Sequence, residues 1–346
     1  MKRIRLGVIG AGYMGTLHVS KLAELAAKGE DIELCGVVDI KPDRAQSVAQ
    51  RFGVPAYDEI APILPQVDAV IVAVPTVDHF SVVRTALVAG LDVLVEKPIA
   101  ASVPEAQALI ELAKRHRCVL QVGHLEWFNS AMDVIRDYFR RPRYAEAHRI
   151  GPMPERSVDL DVIRDLMIHD LDILQQLLGD EPREVEAVGI PVLTPNVDIA
   201  NARLVYPCGC VANLTASRIS SRPERSIRFF QPEATVSVDF LRQAGSVTRR
   251  LSGEVGRPVR VEERAIEVVP GDALVEQLLA FVESIRGRTR PRVDGPSGLG
   301  ALRTAVRVRA AIDESLSGSD SPDRWPAARP LMPEAIRSLA TDDLSE

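Results

Sequence analysis

A lysine, an aspartate and a histidine stand out in this 346-residue chain for where they fall in its pattern. Lys97 lies in "VEKP", Val95 to Pro98, at the end of a long apolar run. An amine there can donate a hydrogen bond to a hydroxyl or carbonyl, and desolvation can tune its pKa. Asp165 and His169 belong to "IRDLMIHDLDILQQLLG", residues 163–179, where Leu166, Ile173, Leu174, Leu177 and Leu178 recur at helical spacing and Gly179 suits a C-cap. At i,i+4 the two side chains are expected on one helix face. A carboxylate beside an imidazole orients the ring and favours its protonated form, as a base taking a proton from an alcohol requires. Each feature also has a plainer reading, a charged strand end or a surface ion pair, so placement must decide.

Phosphate chemistry enters with G-A-G-Y-M-G. Gly10, Gly12 and Gly15 stand between the apolar run "RIRLGVIG" and a helical segment from Thr16 to Lys28. In that context the glycines allow a tight turn, close approach of a pyrophosphate and close helix–strand packing, while the helix N-terminus offers N–H groups. Asp39 closes the next apolar run, "IELCGVVD", where a carboxylate can accept hydrogen bonds from a ribose. Such a carboxylate repels a 2′-phosphate, so NAD is expected over NADP; Lys41 and Arg44 act in the opposite sense.

The elements that must position these groups alternate. Apolar runs at 68–74, "DVLVEKP" and "CVLQVG" follow helices expected at 43–52, 79–89 and 103–117. Right-handed βαβ crossovers and a parallel sheet follow from that alternation. The stretch "VGHLEWFN", Val122 to Asn129, therefore starts at the carboxyl end of a strand, the edge at which ligands bind, which makes His124 and Asn129 candidate contacts. After Asn129 a helix is expected at 130–140, then strands near 143–150, 183–192, 199–206, 210–219, 226–231, 234–240, 244–251 and 258–269. Many are polar on alternate residues and read as antiparallel strands with one face covered, by the helix of Asp165 and His169. Helices at 272–286 and 297–316 close the globular part. The fold class expected is an α/β Rossmann doubly wound parallel sheet plus a C-terminal α+β domain with a large, mostly antiparallel open-faced sheet. The expected division is residues 1–125 for dinucleotide binding, 126–316 for substrate binding and oligomerisation, and a mobile or loosely docked tail at 317–346.

Bulk properties narrow the classes. A net charge of -6, with 46% hydrophobic and 26% charged residues, argues against a nucleic-acid protein. No stretch is long enough to span a membrane, and the glycines after "RIRL" break any leader pattern. Cys35 and Cys118 sit in apolar runs, and Cys208 and Cys210 lack a second ligand pair, so no metal and a reduced, cytoplasmic setting are expected.

The order G-A-G-x-M-G, Asp39, E-K-P, D-x-x-x-H-D resembles the Gfo/Idh/MocA oxidoreductases over roughly residues 1–315. The resemblance implies that Lys97, Asp165 and His169 gather around a nicotinamide and a substrate. It implies cofactor contacts from Gly10, Gly12, Tyr13, Met14, Gly15, Asp39, Pro75, Thr76, His79, Glu96, Lys97 and Asn129. "VGHLEWFN" is similar to the V-G-H-x-E-R-F-N signature of the UDP-N-acetylglucosamine 3-dehydrogenase branch, and "RIGPMPERSVDLDVIRDLMIHDLDIL" and "NLTASRISSRPERSIRFFQ" resemble it too. That likeness implies oxidation at C3 of the nucleotide sugar ahead of a transamination in amino-sugar biosynthesis, of lipid A or a surface polysaccharide. A diphosphate suits bidentate arginines, so Arg149, Arg156, Arg218, Arg225 and Arg228 join His124 as candidate substrate contacts, two of the five expected to bind phosphate. Trp127 departs from the branch's arginine and offers an indole instead. Oxidation of a free polyol such as inositol is the alternative within enzymes. A non-catalytic dinucleotide sensor is a further one, opposed by the intact Lys97, Asp165 and His169. In this family the open sheet face implies a homodimer or homotetramer.

Overall fold

The computed structural model describes residues 3–153, 160–251 and 260–317. Its first half is a six-stranded, all-parallel sheet of β1 (Ile4–Ile9), β2 (Ile32–Val38), β3 (Ala56–Tyr57), β4 (Ala69–Val72), β5 (Asp92–Glu96) and β6 (Leu120–Gly123). The order is β3-β2-β1-β4-β5-β6, so the direction of winding reverses between β1 and β4. A crevice opens at that reversal, beyond the carboxyl ends of the strands. The crossovers are α1 (Tyr13–Ala27), α2 (Pro42–Phe52), α3 (Thr76–Val88) and α4 (Val103–His116). Strands β4 and β5 are covered on both faces, hence their unbroken Val, Ile and Leu. Local chemistry sets the helix ends: Ser102 and Glu105 close a capping box at the start of α4, and Gly53 ends α2 in the left-handed region at φ 68°. Helix α1 begins at Tyr13, three residues before the periodicity suggested, because its first turn is the glycine loop itself.

The second half is an eight-stranded sheet of β7 (Tyr144–Ile150), β8 (Glu184–Ile190), β9 (Ile199–Val205), β10 (Val211–Ser217), β11 (Glu224–Phe230), β12 (Ala234–Asp239), β13 (Ala244–Arg250) and β14 (Val261–Ile266). The order is β14-β13-β12-β11-β7-β10-β9-β8, antiparallel at every pairing except β7 with β10. One face alternates into the core through Ala145, Ala147, Ala200, Ala202, Ala212, Leu214 and Ala216. These mostly small residues let the turn at residues 163–167, which leads into α6 (Ile168–Leu178), lie close to β10 and β7, while α8 (Gly295–Ser317) packs on β8 and on α6. Two further helices, α5 (Met132–Tyr138) and α7 (Ala273–Gly287), pack against β12 and against α1 respectively. One apolar cluster runs from Val72 and Val95 through Phe128 and Met132 to Phe229 and Val236 and joins the two sheets, while a second gathers Leu6, Val8, Ile71 and Leu94 with Leu278 and Phe281 of α7. The tail from residue 318 onward lies outside the described residues. Among those described, no helix is long and apolar enough to cross a membrane.

Candidate active site

Five strand ends, those of β1, β2, β4, β5 and β6, line the crevice edge, and each delivers candidate residues. After β1 comes the glycine loop. Gly10 adopts φ 101°, and a Cβ there would stand 2.4 Å from the carbonyl oxygen of Ala73. A Cβ on Gly15 would lie 1.7 Å from the oxygen of Gly10, so only glycine lets α1 meet the turn this closely. A Cβ on Gly12 would meet nothing within 4 Å. The backbone is thus tight beneath the loop and open above it, which fits a pyrophosphate seated against the N-terminus of α1, a helix without a side-chain cap. Tyr13 is exposed and Met14 half-buried in that first turn. Asp39, after β2, accepts from the amides of Ala11 at 2.8 Å and Lys41 at 2.9 Å, and Arg44 stands 3.7 Å from it. Its carboxylate therefore shapes the glycine loop.

After β4, Pro75 and Thr76 open α3 on the far side of the crevice. His79, expected to contact cofactor, is a strut instead: its ring nitrogens lie 2.8 Å from the oxygen of Pro98 and 3.0 Å from that of Val74. Burial lowers its pKa and favours the neutral ring, which donates its one N–H to one of these oxygens and packs against the other. After β5, Glu96 lies 2.8 Å from the fully buried His18 of α1. That pair ties the dinucleotide helix to the lysine strand; nothing in the spacing of His18 advertised it.

Lys97 follows, and its Nζ donates to the carboxylate of Asp165 at 2.9 Å and to the main-chain oxygen of the same residue at 2.7 Å. Asp165 thus grips Lys97 rather than His169. The reason lies in the backbone, because residues 163–167 form a π-helical turn ahead of α6. Such a turn carries more residues per revolution than an α-helix, so the i,i+4 rule for a shared face fails here. His169 keeps its Nδ1 enclosed with no partner, which leaves Nε2 of this half-buried ring for the cleft. Burial, then the charges of Lys97 and Arg149, hold its pKa well below the ordinary value. A neutral imidazole beside an ion-paired lysine can accept a proton from an alcohol while the amine hydrogen-bonds the same oxygen.

After β6, His124 lies edge-on to His169, ring centroids 6.0 Å apart and planes at 88°. Expected to touch substrate, it is 1% exposed with both nitrogens enclosed and unpartnered, so it stands behind His169 rather than at the cleft surface. Burial, then the Lys97 charge, lower its pKa to about 3. Asn129, expected at the cofactor, is also internal: it donates to Glu126 and to the oxygen of Phe240 and accepts from the amide of Ala131. Trp127 is buried in the core and presents no stacking face.

The arginines divide by face. Arg149 is 2% exposed, forked onto Asp170 at 3.0 and 2.8 Å and bonded to Glu126 at 2.6 Å. Burial works against its charge, but the field of Asp170 and Glu126 outweighs that and pushes its pKa up. Arg218 is equally enclosed, bonded to Asp198 at 2.7 Å, to the oxygen of Leu160 and to Thr194. Neither retains a fork for a diphosphate, which corrects the expectation for both. Arg228 points out of the open face, since its neighbours Ile227 and Phe229 are the inward ones on β11. Arg225 pairs in register with Arg149, so it shares the covered face, yet it is half-exposed, 3.8 Å from Glu126. It alone of the four described arginines combines access with proximity to His169, on whose pKa its charge acts. Arg156 lies outside the described residues. Sequence reasoning missed Glu126 and Asp170 as structural partners, although both stand inside motifs it singled out.

A parallel sheet in the order 3-2-1-4-5-6, a fitted glycine loop and a lysine–imidazole cleft define a dinucleotide-binding oxidoreductase. The family model described as oxidoreductase family, NAD-binding Rossmann fold matches residues 4–124, and the GFO/IDH/MocA C-terminal domain matches residues 134–237. The chain belongs to the Gfo/Idh/MocA family of oxidoreductases. It is 38% identical to UDP-N-acetylglucosamine 3-dehydrogenase of Acidithiobacillus ferrooxidans, over 91% of this chain and 99% of that one. A solved structure of that enzyme from the same organism superimposes with a TM-score of 0.85 over 91% of this chain and 99% of its own. Myo-inositol 2-dehydrogenase of Thermotoga maritima is 26% identical over 91% of this chain and 98% of its own.

Proposed function

We propose that the protein oxidises the C3 hydroxyl of UDP-N-acetylglucosamine to the 3-keto sugar with NAD, feeding a transamination in amino-sugar biosynthesis. When bound, the oxidised nicotinamide accepts the hydride. Gly10, Gly12, Gly15 and Asp39 would hold the dinucleotide, with Pro75, Thr76 and Glu96 along its path. Asp39 supports NAD over NADP, because its carboxylate is buried beside the loop and repels a 2′-phosphate. His169 Nε2 takes the hydroxyl proton. Lys97 donates to the same oxygen and Asp165 keeps the amine in place, a positioning role different from holding the histidine. The observation that carries the reading is this neutral imidazole beside a Lys97–Asp165 pair at the carboxyl edge of the parallel sheet. Likeness to the Acidithiobacillus enzyme supports the substrate. Arg225 is the proposed diphosphate contact.

The experiment is direct: purified protein, NAD and UDP-N-acetylglucosamine, with NADH reoxidised enzymatically and the sugar nucleotide analysed by mass spectrometry. A product two mass units lighter is expected, and an unaltered sugar nucleotide overturns this substrate. Because Arg149 and Arg218 are locked in ion pairs, a free polyol stays in view as a second reading. Arg225→Ala separates the two: KM for the nucleotide sugar should rise about tenfold, the worth of one charge-assisted contact, whereas turnover of a free polyol such as inositol should not change.

A further inference from the structure

A cavity of about 530 Å³ lies at the opposite, amino-terminal edge of the parallel sheet, away from the glycine loop and from Lys97. Its floor is Ile110, Val119 and Leu120, and Lys114, Arg117, Arg288 and Arg290 surround it against one acidic residue, Asp294. In a chain of net charge -6 that is a local reversal of sign.

Backbone conformation singles out two of these residues. Among the described residues only Arg117, Gln243 and Arg288 are non-glycine with positive φ. Arg117, at 56°, caps the C-terminus of α4, and Arg288, at 50°, caps that of α7. Glycine serves that position best, and a larger residue there carries a steric cost. Basic residues at a helix C-terminus offset its dipole, which accounts for the run Lys114 to Arg117 as charge. It does not account for arginine in left-handed backbone twice on the rim of one cavity. Strain of this kind gathers at ligand sites.

The rim is also partly pre-built. Arg288 is anchored by Asp92 at 2.7 Å, while Lys114 and Arg117 have no carboxylate partner among the described residues. The size lies within the range of small-molecule pockets. We propose that this cavity is a second ligand site, taking a phosphate-bearing small molecule with an apolar body, the class to which nucleotides belong. Its phosphates meet Lys114 and Arg117, and its body lies on Ile110 and Leu120. Helix α8, which begins at the cavity with Gly295, also packs on α6, the helix of His169.

The test uses ATP as probe and the full chain saturated with NADH, so that the dinucleotide crevice is filled. Isothermal titration should give saturable, salt-sensitive binding in the submillimolar range. Lys114→Ala/Arg117→Gly should weaken it about tenfold or more, two charge-assisted contacts being lost, and Arg225→Ala in the cleft should leave it unchanged. Arg117→Gly alone should raise Tm by about 2 °C as the backbone strain is relieved. No saturable binding, equal affinity in the double variant, loss in Arg225→Ala, or a lower Tm in Arg117→Gly would each overturn the proposal. None of these outcomes depends on which sugar the enzyme oxidises.

Discussion

Replacing Arg149 by methionine distinguishes a buried clamp from a phosphate contact. In the structure its guanidinium neutralises Asp170 and Glu126, both under 10% exposed. Methionine keeps the bulk and removes the charge, leaving two carboxylates enclosed. Breaking one side of a buried pair costs about 3–5 kcal/mol. A ceiling comes from linkage: a carboxyl with an unfolded pKa near 3.9, forced to stay protonated in the fold at pH 7.5, costs about 5 kcal/mol. Burial already raises Asp170, and losing Arg149, which pulls it down, drives it further up. The sign follows. In the variant the folded state holds a proton that the unfolded state releases above pH 4, so its deficit grows with pH. Falling from pH 7.5 to 5.5 should return about 2.7 kcal/mol. Scanning calorimetry of the apoprotein should show Tm lowered by about 10 °C at pH 7.5 and by less than half of that at pH 5.5. Arg149→Met with Asp170→Asn and Glu126→Gln should recover most of the loss. A Tm within about 2 °C of the wild type, together with a raised KM for the nucleotide sugar, would return Arg149 to the cleft and refute its place as a clamp.

The remaining expectations concern the site itself. Lys97→Met should lower kcat by about 10²–10⁴ while leaving NADH affinity, read by fluorescence titration, nearly unchanged. The same variant removes a charge that depresses His169, so the acidic limb of kcat/KM, expected below pH 6.5 in the wild type, should move up. Gly15→Ala places a Cβ 1.7 Å from a backbone oxygen, and the loop must shift; NADH binding should weaken about tenfold or more with the far cavity unaffected. His124 folds neutral with a pKa of about 3 against about 6.5 unfolded, so its share of stability is complete above pH 6.5 and lost as pH falls. About 2 kcal/mol should be gone by pH 5, and His124→Phe should abolish that component of the Tm–pH curve.

Much of the fold was legible because its signals are local. Unbroken apolar runs followed by helical periodicity marked β1, β2, β4, β5 and β6, and the glycine spacing marked the crevice. The two-residue β3 has too few residues to show a period. The placement of Lys97 at the carboxyl end of β5 was legible from its apolar run, but the partner of Asp165 was not, since a π-helical turn leaves no trace in the 3.6-residue period. Arg149, Arg218 and Arg228 lie elsewhere than expected for a reason of a different kind. Sequence reports that a residue is a cation, not which face of a strand carries it. On β11 one step in register separates the exposed Arg228 from the inward Ile227, and Arg149 reaches its carboxylates only because β7 runs beneath α6.

Buried Arg149 joins the two halves of the molecule. Its guanidinium bonds Glu126, which follows the last strand of the parallel sheet, and Asp170, which follows His169 on α6. Lys97, from the parallel sheet, bonds Asp165 in the turn that leads into α6. Two ionic links therefore hold one helix from opposite sides of His169, one reaching each of the neighbouring strand ends β5 and β6. A helix tethered at a single point could rotate about it; one tethered on either side of the imidazole cannot turn without breaking a buried or half-buried ion pair. The orientation of the His169 ring is in this way fixed by charges on either side of it, while its Nδ1 has no hydrogen-bond partner to fix it.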